Sequence, residues 1–128
     1  YRERPDIHGV AHAHPPTSTG FSVAGIDLPK NLLPEVIVSL GNIPTAPYGT
    51  PGTMELVESL REYVCTNDAI LLENHGALTL GSDVISAYHK METMEHLAQI
   101  ALVARLLGKE NTINNDNVEK LIQLYPRS

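Results

Sequence analysis

The sequence predicts an α/β fold, and three observations lead there. Short apolar runs with strand character, at residues 7–14 and 69–81, each precede a stretch with helical periodicity. Strong breakers close the main segments: Pro15-Pro16 after the first run and Gly108 after the last long helix. The longest helical pattern, residues 83–107, follows the second strand-like run, so helices alternate with strands.

In chain order, residues 7–14 (IHGVAHAH) contain Ile and Val and stop at two prolines, which predicts a well-buried strand. His14 precedes Pro15, so its backbone is pushed towards the extended region. The segment PTSTGFSVAG then predicts a short helix that Pro16 starts and Gly25 ends. Residues 26–50 are rich in Pro and Gly, with an apolar stretch at 36–40 and a strand expected within NIPTAPY. Its prolines lack the donor that a central strand needs.

From Thr53, TMELVESLREYV is helical, with Leu56, Val57, Leu60 and Val64 at three- and four-residue steps. AILLENHGALTLG predicts a strand or hairpin broken at residues 74–76. Ser82 and Asp83 are the candidate caps of the long helix, whose expected stripe is Val84, Tyr88, Met91, Ala98 and Leu102, with Glu95 as a polar intrusion. A polar linker, KENTINNDN, leads to a short amphipathic helix at 118–124 and a Tyr-Pro tail.

Composition narrows the function classes. With 42% hydrophobic and 19% charged residues, the 128-residue chain reads as an ordinary soluble globular protein. The net charge of −6 and the scattered Lys and Arg argue against nucleic acid as a partner. No apolar run reaches the ~20 residues of a bilayer crossing, which argues against a membrane. Cys65 is alone, so no internal disulfide forms, and a reducing, cytoplasmic setting is expected with Cys65 as a small buried residue. No leader pattern opens the chain, and Tyr1 starts mid-pattern; the expectation is one domain, residues 1–128, incomplete at its N-terminus.

The chemistry concentrates in histidines. Residues two apart on a strand point to one face, with Cα atoms ~6.5 to 7 Å apart, so His12 and His14 suit a shared ion. The same spacing also suits two polar residues at a strand end near solvent. His75 in ENHG stands directly before Gly76, where the backbone can turn sharply and leave an imidazole projecting, and it also suits plain turn chemistry. Three histidines on two strand ends form a His₃ set with an open position, the pattern of a catalytic rather than a structural ion. Such an ion polarises a carbonyl or stabilises an enediolate. His89, Glu92 and His96 share one helical face and read mainly as a solvated surface, and His8 reads as peripheral to the pair.

Three runs in order, RPDIHGVAHAHPPTSTGFSVAG, IPTAPYGTPGTMELVESL and AILLENHGALTLGSDVISAYHKMETMEHLAQIAL, strongly resemble the class II aldolase/adducin family. That family includes fuculose-phosphate aldolase, rhamnulose-phosphate aldolase and ribulose-phosphate 4-epimerase, and the likeness covers roughly residues 4–107. The resemblance implies a three-layer α/β/α sandwich around a mainly antiparallel sheet, assembled as a homotetramer with active sites at subunit boundaries. It implies that His12, His14 and His75 bind a divalent metal, usually zinc, with manganese or cobalt as alternatives. It further implies a lyase that cleaves a sugar phosphate, or a related hydroxy-carbonyl compound, through a metal-stabilised enediolate.

In that family the acid/base carboxylate lies before the first His motif, outside this chain. A tyrosine that a neighbouring subunit presents has no counterpart here, because Leu33 or Pro34 stands in its place, and Glu35 is the nearest ionisable group. Tyr125 is the candidate for the family's proton-donating tail tyrosine. Epimerisation, decarboxylation and dehydration on the same metal are alternative reactions. An adducin-like interaction module is a different class, against which the three retained histidines argue. A metal hydrolase would need Glu73 or Glu35 as general base. A partial sandwich also predicts uncovered sheet edges and apolar faces, hence a tight oligomer or a retained N-terminal segment.

Overall fold

A computed structural model describes residues 1–126. The strands are β1 (Gly9–Ala13), β2 (Thr45–Ala46), β3 (Ala69–Leu72) and β4 (Gly76–Gly81). The helices are α1 (Pro16–Ala24), α2 (Pro34–Ser39), α3 (Met54–Val64), α4 (Val84–Leu106) and α5 (Asn115–Leu124). The sheet order is β1-β4-β3-β2, with β4 antiparallel to both neighbours and β2 parallel to β3. The fold is therefore α/β with a mainly antiparallel sheet.

Strand alternation sorts the core into two layers. Ala11, Ala69, Leu71 and Ala77 face one way and pack with Phe21 of α1, Val36 of α2 and Met91, Met94, Leu97, Ala98 and Ala101 of α4. Ala46, Ile70, Leu72 and Leu78 face the other way and meet Leu60, Tyr63 and Val64 of α3. The sheet thus lies between α1, α2 and α4 on one side and α3 on the other, a three-layer α/β/α arrangement.

Local chemistry sets the helix ends. Pro16 opens α1, and Gly25 closes it with φ +67 while the Ile26 amide reaches back to the Phe21 carbonyl. Thr53, Asp83 and Asn114 cap α3, α4 and α5 by accepting from the amides of Glu55, Ser86 and Asn117. Asn114 starts α5 three residues earlier than the apolar pattern alone suggests, because it offers the cap.

The structure corrects several expectations. β1 is shorter than residues 7–14 and lies at the sheet edge, with only Gly9 fully buried in it. The strand within NIPTAPY is two residues long because Pro44 and Pro47 flank it. The apolar stretch at 36–40 lies in α2, opened by Pro34. The buried face of α4 is Ala87, Met91, Met94, Leu97, Ala98 and Ala101, whereas Val84, Tyr88 and Leu102 are exposed. Apolar residues surround α4, so periodicity left its buried face open. Cys65 is exposed at the end of α3, not buried, with its Sγ 3.3 Å from the Arg61 carbonyl. Among the described residues, no helix is long and apolar enough to cross a membrane.

Candidate metal centre

β1 and the β3–β4 hairpin bring three histidines to one end of the sheet. His12 pairs across from Leu78 and Ala13 across from Ala77, so the end of β1 lies beside the start of β4. His14 follows one residue after β1, held extended by Pro15. His75 sits in the turn between β3 and β4, where Asn74 takes the left-handed conformation (φ 55) and the His75 amide bonds the Leu72 carbonyl at 3.1 Å. Asn tolerates that conformation better than most residues.

The expectation that Gly76 itself makes the sharp turn needs correction. Gly76 is needed for space: a Cβ there would lie 2.5 Å from the Ala13 carbonyl oxygen and 2.5 Å from His14 Cδ2. The positive φ belongs to Asn74 instead.

The ligand-capable nitrogens of His12, His14 and His75 all lie within 4.8 Å of one another. Their ring centroids are 4.9 to 5.1 Å apart, with the rings edge to face. His12 Nδ1 is 2.9 Å from the Ala77 carbonyl oxygen. A carbonyl only accepts, so Nδ1 carries the proton and donates, which leaves the Nε2 lone pair free. His75 Nδ1 is buried and has no hydrogen-bond partner among the described residues. A buried unpaired nitrogen is costly, and a cation is one group that would satisfy it. Burial, and then the neighbouring His12 and His14, hold the His75 imidazole below its ordinary pKa, which favours the neutral form that metals require. The donor set therefore fits a divalent ion.

The other sequence candidates lie in varied places. Glu35, exposed in the first turn of α2, borders a cleft of about 540 Å³ shared with Pro15, Met91, Glu92, Glu95 and His96. Pro15, the residue after His14, lines the same cleft. Tyr125 ends α5, which packs on α2, and is 58% exposed. Glu73 accepts the Tyr48 amide at 2.8 Å, which ties it to the loop after β2. His89 and Glu92 pair at 3.4 Å on the exposed face of α4 and His96 is exposed too, so this trio stays apart from the histidine cluster. His8 is exposed ahead of β1 and outside the cluster.

Two contributors escape a residue-type reading. The Ala77 carbonyl is a backbone group that no motif announces, although the hairpin places it. Glu95 accepts the amides of Thr17 and Ser18 at the start of α1. Its only sequence signal was a carboxylate interrupting an apolar stripe.

Comparison with known proteins agrees with this architecture. Residues 1–102 match the family model described as Class II Aldolase and Adducin N-terminal domain. The chain is 34% identical over 109 residues to L-fuculose phosphate aldolase of Methanococcus maripaludis strain C5, covering 85% of this chain and 59% of the relative. It is 33% identical over 107 residues to 3-oxo-tetronate 4-phosphate decarboxylase of Escherichia coli K12, covering 80% of this chain and 50% of that protein. Among solved structures it superposes on YgbL from Escherichia coli with a TM-score of 0.85 at 29% identity, covering 94% of this chain and 60% of that one. The chain thus spans between half and three fifths of the length of these relatives.

Proposed function

Because the chain belongs to the class II aldolase and adducin family, we propose that it is the metal-binding part of a lyase that cleaves a sugar phosphate or a related hydroxy-carbonyl compound. The observation that carries this reading is the histidine cluster, with His12 Nδ1 tied to the Ala77 carbonyl and His75 Nδ1 buried without a partner among the described residues. His12, His14 and His75 would hold the ion, and zinc, manganese and cobalt all suit three imidazoles. Such an ion supplies Lewis-acid charge that stabilises a developing enediolate.

The chain's own residues do the rest. The Ala77 carbonyl keeps His12 in one tautomer, and Gly76 leaves room for the His14 ring. Glu35, on the cleft beside Pro15, is the proposed proton-handling carboxylate within this chain, and Tyr125 is the proposed tail proton donor. The edge position of β1 and the exposed apolar residues of α4 support a covering partner, either further copies of the chain, a tetramer by analogy with the family, or an N-terminal segment. The free thiol of Cys65 supports a cytoplasmic location.

The similarity to a decarboxylase supports a second reading, loss of CO₂ from a 3-oxo acid phosphate on the same centre. Epimerisation and dehydration remain variants of that centre. The experiment is metal content by elemental mass spectrometry, followed by assays for cleavage of L-fuculose 1-phosphate and for CO₂ release from 3-oxo-tetronate 4-phosphate. About one ion per chain, with chelator-sensitive cleavage, supports the lyase. Chelator-sensitive CO₂ release without cleavage selects the decarboxylase. Failure to bind any ion in excess zinc overturns both and favours an interaction module.

A further inference from the structure

Helix α1 begins two residues after His14, and two prolines lead into its first turn. Pro15 and Pro16 carry no amide hydrogen, and Pro15 makes no side-chain cap. The Thr19 amide already bonds the Pro15 carbonyl at 2.9 Å. The donors left open at this helix start are those of Thr17 and Ser18.

Both are taken by one side chain from another element. Glu95 of α4 accepts the Thr17 amide on Oε1 at 2.9 Å and the Ser18 amide on Oε2 at 2.8 Å. The Gln99 side-chain amide donates to the same Oε1 at 3.3 Å. A carboxylate at a helix N-terminus also opposes the positive end of the helix dipole. Burial pushes the Glu95 carboxyl up, but the Ser18 and Thr17 donors outweigh it and hold it below the ordinary range. Glu95 is thus a charged cap supplied by another helix of the same chain, on the buried side of α4 next to Met91, Met94 and Ala98.

The geometry points to Glu95 as the positioning residue for His14: by clamping the first turn of α1 it fixes, through the two rigid prolines, where the His14 ring stands relative to His12 and His75. The transmission is short. Only Pro15 and Pro16 separate His14 from the clamped amides, and each proline ring locks its own φ. His14 itself is exposed, and its ring meets those of His12 and His75 edge to face at centroid distances of 5.1 and 5.0 Å. Its position is set from Gly76 on one side and from α1 on the other. The consequence for metal affinity rests on the metal-centre reading above, whereas the positional consequence does not.

The test compares the wild-type chain with E95A, the milder E95Q, and T79V as a control. T79V removes the bond from Thr79 Oγ1 to the Ala87 carbonyl between β4 and α4, far in sequence from α1. Backbone hydrogen exchange at Thr17 and Ser18, with the NMR signals of the His14 ring, reports the clamp without any metal. Zinc titration against a competing chelator reports affinity. The expected result is faster exchange at Thr17 and Ser18 and altered His14 ring signals in E95A, smaller changes of the same kind in E95Q, and neither in T79V at similar loss of Tm. Zinc affinity should fall about 10- to 100-fold in E95A and stay at the wild-type value in T79V.

Unchanged His14 signals in a folded E95A or E95Q overturn the inference. Equal losses of zinc affinity in E95A and T79V at matched Tm also overturn it, since they mark a general stability effect. If the wild-type chain itself binds no zinc, the metal reading fails, and the exchange and ring signals still decide the role of Glu95.

Discussion

Gly76 leaves no room for a Cβ beside His14 at the start of β4: a Cβ there would lie 2.5 Å from His14 Cδ2 and 2.5 Å from the Ala13 carbonyl oxygen. Gly76→Ala should therefore displace the end of β1, lower stability by about 1 to 3 kcal/mol and weaken metal binding. Gly20→Ala is the opposite case. A Cβ there meets nothing within 4 Å inside α1, so the change should stabilise the fold by about 0.5 to 1 kcal/mol. Denaturant midpoints for both variants, with zinc titration, check the pair.

Removal of the proposed ligands should separate sharply from removal of other histidines. His12→Ala, His14→Ala and His75→Ala should each lower zinc affinity by more than the roughly 10- to 100-fold that outer-shell changes cost. His89→Ala, on the exposed face of α4, should leave it unchanged. Metal content by elemental mass spectrometry distinguishes the two groups, and equal losses would move the site to α4.

Asp68 predicts an acid limb in stability. Its carboxylate bridges Arg4 at 2.9 Å and Lys90 at 2.7 Å. Burial raises its pKa, but the bonds from Lys90 and Arg4 outweigh that and hold it below the ordinary 3.8. Between the lowered and ordinary values the unfolded chain binds more protons than the native one, so stability rises with pH there. The contribution is present above pH 3.8 and is lost as pH falls through the lowered native value. Asp68→Asn should cost about 1 to 2 kcal/mol at neutral pH, leaving Lys90 without its carboxylate, and should flatten that limb. Thermal melts from pH 7 downwards measure both effects.

Glu35 and Tyr125 are proposed to move protons, so Glu35→Gln and Tyr125→Phe should lower kcat by about 10²-fold or more while zinc affinity stays unchanged. Both side chains are exposed, so neither change should shift Tm appreciably. Steady-state cleavage assays beside zinc titrations test this. Full activity in either variant removes that residue from the proposed mechanism.

What was legible in the sequence was whatever local rules govern. Pro16 and Gly25 bound α1, the capping side chain of Asp83 starts α4, and the break read at residues 74–76 falls at the β3–β4 hairpin, whose turn is residues 73–75. The histidine types and spacings singled out the residues that the fold gathers. Period and capping act within a few residues, so they survive without knowledge of neighbours.

Tertiary structure alone decided the rest. Which face of α4 is buried depends on where β1, β4 and α1 press, because apolar residues lie on several sides of that helix. The edge position of β1 and the exposure of Cys65 follow from which elements cover them, a property of packing rather than of local pattern. Sequence by itself named His12, His14 and His75 as the candidate set. Only the pairing of β1 with β4 placed them together, turned the Ala77 carbonyl onto His12, and put Glu95 of α4 across the start of α1. Those contacts join residues more than sixty positions apart, where no local periodicity reaches.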